Sequence, residues 1–182
     1  SGEKAKVTPW EVKGVVDYER LIKEFGTSHL TDALINKIRK AAGASHHMLR
    51  RKIFFSHRDL DIFLKEHEEG KSVALYTGRG PSGETHLGHI IPWMFTKYLQ
   101  DALDIPLYFQ ITDDEKFLCK DLSLEETNKL AYENALDVIA MGFDPKKTFI
   151  FVDTDYGKTM YKIAVKVAKK VTASSAQAVF GF

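Results

Sequence analysis

Apolar residues recur at helical spacing in the first third of the chain and in short unbroken runs after it, with the change near Lys71. Tyr18, Leu21, Ile22 and Phe25 share one helical face and stop at Gly26; Leu30, Leu34, Ile35 and Ile38 repeat the pattern ahead of Gly43. Ile53, Phe54 and Phe55 predict a short extended run, and Leu60, Phe63 and Leu64 a further helix ending at Gly70. Residues 1–70 are therefore expected to form a mainly helical N-terminal appendage and connector. From Lys71 strand and helix alternate. Val73 to Thr77 predicts a buried strand emptying into a loop that holds Gly78, Gly80, Pro81 and Gly83. A helix follows from Leu87 to Leu103, with Pro92 in its early turns, and Leu107 to Thr112 predicts the second strand. Ser123 with Glu126 is a capping-box signature, opening a helix that carries Leu130, Asn134, Val138 and Ile139 toward Gly142. Thr148 to Val152 predicts the third strand and Lys158 to Val171 a lysine-rich helix. Crossovers of this length require parallel pairing, so residues 71–182 are expected to build a doubly wound parallel α/β sheet. Ligands then belong at the carboxyl ends of its strands.

Composition changes this picture little. With 44% hydrophobic and 12% aromatic residues the chain can bury a real core. A formal charge of +1 makes no bulk demand for nucleic acid, so any such contact must come from a local patch. The single cysteine, Cys119, excludes a disulfide framework and a multi-cysteine zinc site; a lone thiol is expected as a small core residue of a cytosolic protein. No run of about 18 apolar residues and no apolar signal-peptide core is present, so no membrane association is expected.

The residues that carry chemistry sit where two neighbouring strands end: Tyr76 to His89, and Gln110 to Lys116. His86 and His89 lie three apart at a helix start, so both rings project from one face of its first turn. The helix N-terminus offers N–H groups and partial positive charge to a phosphate chain, and Gly88 leaves the backbone bare for a flat ring. The plain alternative is two histidines capping the helix. Asp113, Asp114 and Glu115 invite a metal reading, yet consecutive carboxylates point in different directions and equally favour a helix start. No metal site is assigned to them. Gln110, a polar side chain inside an apolar strand, needs a partner. Its amide oxygen and the Tyr76 hydroxyl can accept an indole N–H or belong to a satisfied core network. Lys158, Lys162, Lys166 and Lys170 form a basic stripe opposite Ile163, Val167 and Val171; a solvated surface is the preferred reading over a nucleic-acid-contacting face. His46 and His47 beside Arg50 read as a polar connector.

Several blocks together resemble a known family: Leu49 to Asp59, Tyr76 to Ser82, His86 to His89 (His-Leu-Gly-His), Gln110 to Lys116, Lys147 to Phe151 and Phe180 to Phe182. The His-x-Gly-His signature resembles that of class I aminoacyl-tRNA synthetases, and the whole series is similar to eukaryote-type tryptophanyl-tRNA synthetases. The resemblance implies a Rossmann fold. It assigns Tyr76 and Gln110 to the indole N–H of tryptophan and Glu115 to the substrate ammonium. Thr77, Gly78, Arg79, Gly80 and Ser82 match the loop around ATP, His86, Gly88 and His89 match the nucleotide signature, and Lys116 matches a lysine reaching the phosphates. His86, His89 and Lys116 are the residues it makes catalytic. The implied cofactors are ATP with its accompanying Mg²⁺, and the implied partners are L-tryptophan, tRNA(Trp) and a second copy of the chain. The implied reaction is attack of the tryptophan carboxylate on the α-phosphorus, giving tryptophanyl-adenylate and pyrophosphate. His57 and Arg58 are expected to fold over the ATP site. The family also implies a second half of the Rossmann domain with a KMSKS-type loop, and an anticodon-binding helical domain, expected outside these residues. Val171 to Ser175 lacks the lysines of that loop and comes too early. Rival readings are a tyrosyl-tRNA synthetase, against which Gln110 and the Thr112 to Lys116 block argue, a small nucleotidyltransferase, and a catalytically inert binding or interaction fragment.

Overall fold

A computed structural model describes residues 6–7, 12–13 and 17–180. Gly181 and Phe182, two members of the closing Phe-Gly-Phe block, lie outside the described residues. The chain divides into two units, Ser1–His29 with Lys158–Phe182, and Leu30–Gly157. In chain order the first unit opens with the two-residue strands β1 (Lys6–Val7) and β2 (Val12–Lys13), which pair antiparallel. Helix α1 (Tyr18–Phe25) follows; the Asp17 side chain accepts the Arg20 N–H at its start, and Gly26 closes it in the left-handed conformation. Next comes β3 (Ser28–His29).

The second unit runs through α2 (Asp32–Ala42), α3 (His47–Arg50), β4 (Ser56–His57) and α4 (Leu60–Glu68) before the sheet begins. The alternating part comprises β5 (Leu75–Arg79), α5 (Leu87–Leu103), β6 (Leu107–Ile111), α6 (Asp113–Cys119), α7 (Leu124–Ala140) and β7 (Thr148–Val152). Helices α8 (Asp153–Ala168) and α9 (Ala173–Phe180) end the chain. The three long strands form a parallel sheet in the order β5-β6-β7, with Gly78 opposite Gln110 and Gln110 opposite Phe151. The fold class is α/β, as the pattern predicts.

Packing explains which face of the sheet carries the site. Leu107, Phe109 and Ile111 are wholly buried and meet Trp93 of α5 and Ala131 and Val138 of α7. Alternate residues turn the other way, and Tyr76, Tyr108 and Phe149 on that side are exposed. A second core joins Ile38, Leu49 and Leu64 to Phe63, Phe95 and Leu99, so α5 packs on two sides. Gln100 is buried on α5 because its amide donates to Thr148 Oγ1 at 2.9 Å while its oxygen accepts the Asp144 N–H.

Several expectations are corrected. Ile53 to Phe55 are not a strand: the chain turns there, Phe54 stacks on Phe95 with ring centroids 4.2 Å apart, and the extended pair is Ser56–His57. The supposed polar connector is helix α3, capped by His46 and burying Met48 and Leu49, and the His46 ring lies 4.9 Å from that of Tyr98. Strand β5 begins two residues late and continues through Gly78 and Arg79. A Cβ at Gly78 would stand 2.8 Å from the Gln110 carbonyl oxygen, so the ladder runs past that point because glycine occupies it. Cys119 is exposed rather than a core residue, since α6 turns Asp113 inward and its last turn outward. Of the basic stripe, Lys158, Lys162 and Lys166 lie on α8 and Lys170 beyond it; Ile163 and Val167 opposite them are exposed as well.

Helix α8 starts at Asp153, five residues ahead of its predicted start, because a distant residue caps it. Asp113, fully buried, accepts the Thr154 N–H at 3.1 Å, the Thr154 hydroxyl and an Asn128 amide hydrogen at 3.3 Å. These bonds claim the carboxylate for structure. Asp113→Ala strands those donors and is expected to cost about 1–3 kcal/mol of stability, read as a lower urea midpoint with loss of helical circular dichroism.

Candidate active site

Tyr76 and Gln110 meet on the open face of the sheet. They project from adjacent strands, Tyr76 from the second position of β5 and Gln110 from near the carboxyl end of β6, and the Tyr76 hydroxyl donates to Gln110 Oε1. The amide nitrogen of Gln110 donates in turn to both oxygens of Asp153, at 2.8 and 2.7 Å. An ionised carboxylate only accepts, so the nitrogen must face Asp153 and the oxygen must face Tyr76. Gln110 Oε1 and the phenol oxygen each keep a lone pair that can accept from a further donor. Partial desolvation of the otherwise exposed Tyr76 side chain, followed by the charge of Asp153, raises its pKa.

Glu115 and Lys116 lie on the first turns of α6. Glu115 accepts from Thr112 Oγ1 at 2.8 Å and from Lys116 Nζ at 2.9 Å. Burial pulls the Glu115 pKa upward, but the bonds from Lys116 and Thr112 and the lysine charge outweigh it, leaving the carboxyl below its usual value. The lysine crosses to the loop after β5: a Cβ at Gly80 would stand 2.1 Å from its Cε and 2.9 Å from its Nζ. The two predicted segments are thus brought together, through Tyr76 with Gln110 and through Gly80 with Lys116.

The loop itself is held by Arg79 and Asn134. The Arg79 guanidinium donates to the Gly80 carbonyl at 2.6 Å and the Gly83 carbonyl at 3.3 Å, and the Asn134 amide donates to Gly83 at 3.2 Å. Arg79 therefore faces the loop backbone. Ser82 closes a tight turn through its N–H to the Gly80 carbonyl, and Thr77 lies half-buried on β5. Arg79 Nε, Thr85 Oγ1 and Asn134 Oδ1 are buried around the same loop without a hydrogen-bond partner.

At the start of α5 the sequence reading needs revision. Gly88 N–H donates to His86 Nδ1 and His86 N–H donates to His89 Nδ1, each at 3.2 Å. The histidines therefore take up N–H groups expected to be open to a ligand. The His86 ring also lies over Gly88, where a Cβ would stand 3.0 Å from its Cε1, so the bare backbone surface is covered by the cap itself. What remains is chemically useful. With both Nδ1 atoms accepting, each ring carries its proton on Nε2, and the two rings, 3.7 Å apart, present two such donors. Burial, with Arg79 and His86 adding to it, lowers the His89 pKa and favours its neutral form.

His57 and Arg58 line a mostly apolar cavity of about 370 Å³ with Phe54, Phe63 and Phe95, and His57 Nδ1 accepts the Leu60 N–H. Among the described residues no three His, Cys, Asp or Glu side chains are grouped to hold a metal ion. No helix of the described residues is long and apolar enough to cross a membrane. The sequence reading missed Asp153. The available signal was the parallel alignment of Phe151 with Gln110, which sets residue 153 beside the end of β6.

Paired histidines on the first crossover helix and polar groups at the ends of adjacent parallel strands define a class of α/β proteins with the ligand site at the carboxyl edge of the sheet. The family model of class I tRNA synthetases (W and Y) matches residues 68–180, and the chain belongs to this family. It is 56% identical to the tryptophan–tRNA ligase of Pyrococcus horikoshii over 99% of this chain and 47% of that protein, and 58% identical to that of Thermococcus sibiricus over 97% and 46%. The tryptophanyl-tRNA synthetase of Plasmodium falciparum superposes with a TM-score of 0.85 at 47% identity, covering 92% of this chain and 46% of that one. The tryptophan-bound enzyme of Encephalitozoon cuniculi gives 0.86 at 41% identity, over 91% and 50%. The chain spans about half the length of the curated relatives it matches. The likeness reaches archaeal proteins as well as the eukaryotic type the sequence resembles.

Proposed function

We propose that the chain is the amino-acid and nucleotide recognition part of a tryptophan–tRNA ligase, which converts L-tryptophan and ATP to tryptophanyl-adenylate and then charges tRNA(Trp). The acceptor pair of Tyr76 and Gln110 carries this reading. A site that offers two acceptors and turns its donors away suits one indole N–H. Residues 71–182 serve as the first half of the catalytic domain and residues 1–70 as its appendage. The reading includes a cytoplasmic setting and a homodimer.

In the reaction a tryptophan carboxylate oxygen attacks the α-phosphorus, the bond to the β-phosphate bridge breaks, and pyrophosphate leaves. The attacking carboxylate is already ionised, so no general base is needed. Catalysis rests on placement and on donors around the charge that develops. Lys116 and the Nε2–H groups of His86 and His89 supply those donors, and Thr77, Gly78, Arg79, Gly80, Ser82 and Gly88 shape the surface beneath them. Glu115 takes the substrate ammonium once Lys116 moves from it to phosphate. Mg²⁺ would enter with the ATP it accompanies, and Asp113, held by Thr154 and Asn128, is not assigned to it.

Pyrophosphate exchange tests the reading, run on this chain and on a polypeptide of the relatives' full length that carries it. Exchange that depends on tryptophan, and not on tyrosine, is expected in the longer protein. Exchange with tyrosine alone, or none in either, overturns it; activity in the longer protein only makes this chain an inert half.

A further inference from the structure

We propose that Asp153 is a specificity-determining positioning residue: by holding the amide nitrogen of Gln110 it fixes which end of that amide the amino-acid site presents. The inference rests on the tryptophan reading above and adds to it a residue outside both sequence motifs.

An amide is nearly symmetric in shape, and rotation by half a turn would exchange an acceptor for a donor. Tyr76 cannot prevent this, because its hydroxyl can donate to an oxygen or accept from a nitrogen. Asp153 can. The residue is 7% exposed and is the first of α8, with each carboxylate oxygen within 2.8 Å of Gln110 Nε2. Rotating the amide would set its oxygen against two carboxylate oxygens. The chain of bonds from Asp153 through Gln110 to Tyr76 therefore has one polarity, and its open end accepts.

The position of Asp153 is itself fixed from α6, where Asp113 binds the next residue, Thr154. Tyr76 on β5 and Asp113 and Asp114 on α6 are the titratable groups that act on Asp153 or respond to it. Burial, and then the neighbouring acids Asp114 and Asp113, raise its pKa to about 6 against the opposing bond from Gln110. An acidic group kept in so unfavourable a place is a poor choice for stability alone.

The test compares Asp153→Leu and Asp153→Asn, measuring affinity for tryptophan and for its benzothiophene analogue, which has sulfur in place of the indole N–H. Leucine cannot hold the amide, so the preference for tryptophan should fall about tenfold or more, whereas asparagine still offers an oxygen and should keep most of it. An unchanged preference in Asp153→Leu, or an equal loss in both variants, overturns the proposal. A second measurement needs neither ligand nor variant. In the wild-type chain the side-chain ¹⁵N resonance of Gln110 should follow the titration of the Asp153 carboxyl carbon, and an amide signal that ignores that titration also overturns it. Wild type that binds neither amino acid while its amide follows Asp153 contradicts the tryptophan reading and leaves the positioning role standing.

Discussion

Gln110→Leu is expected to reduce the preference for tryptophan over phenylalanine by about tenfold to a hundredfold, the value of one buried hydrogen-bonding group left unpaired. In the wild-type site phenylalanine would leave the second lone pair of Gln110 Oε1 and that of the Tyr76 oxygen without a donor, and that cost falls on the wrong ligand. Leucine removes the acceptor and the cost together. It also takes from Tyr76 the oxygen its hydroxyl donates to, so Tyr76→Phe in the same chain should add less than it does alone. Calorimetric affinities for the two amino acids, with circular dichroism to verify folding, give the ratio. An unchanged ratio would separate Gln110 from recognition.

The largest stability effect is expected at Phe109. Its ring is wholly buried on β6 and meets Trp93 edge-on at 5.4 Å and Phe143 at 6.3 Å. Truncation to alanine empties the centre of the sheet core and should cost about 3–5 kcal/mol, a large part of the roughly 5–15 kcal/mol that stabilises an ordinary domain. Tyr108→Ala, next in sequence but half exposed on the other face, should cost far less. Urea unfolding monitored by tryptophan fluorescence separates them. Similar midpoints would mean that the two faces of the sheet are not as different as described.

Local signals account for the parts of the fold that were legible. Helix α5 runs from Leu87 to Leu103 and strand β7 from Thr148 to Val152 as predicted, and α7 begins on the Ser123–Glu126 capping box. Each of these boundaries is set by residues within a few positions of it. Boundaries set from a distance were missed. Asp113 draws the start of α8 forward, the Gln110 carbonyl and Gly78 extend β5, and Phe95 turns the Ile53 to Phe55 segment into a packed bend. The site divides in the same way. The motif residues and their meeting on neighbouring strands follow from spacing and parallel order. The pairing of His86 and His89 with each other's backbone, the reach of Lys116 across Gly80, and Asp153 behind Gln110 depend on three-dimensional contacts that no periodicity reports.

The central claim, an acceptor site for one indole N–H between Tyr76 of β5 and Gln110 of β6, is tested most directly by titrating the ¹⁵N-labelled chain with L-tryptophan and, separately, L-phenylalanine. The account predicts that tryptophan shifts the Gln110 side-chain amide together with the backbone signals of Tyr76 and Glu115, and that phenylalanine at the same concentration leaves the Gln110 amide in place. Equal shifts with both amino acids, or tryptophan shifts confined to the cavity around Phe54 and Phe63, would contradict it.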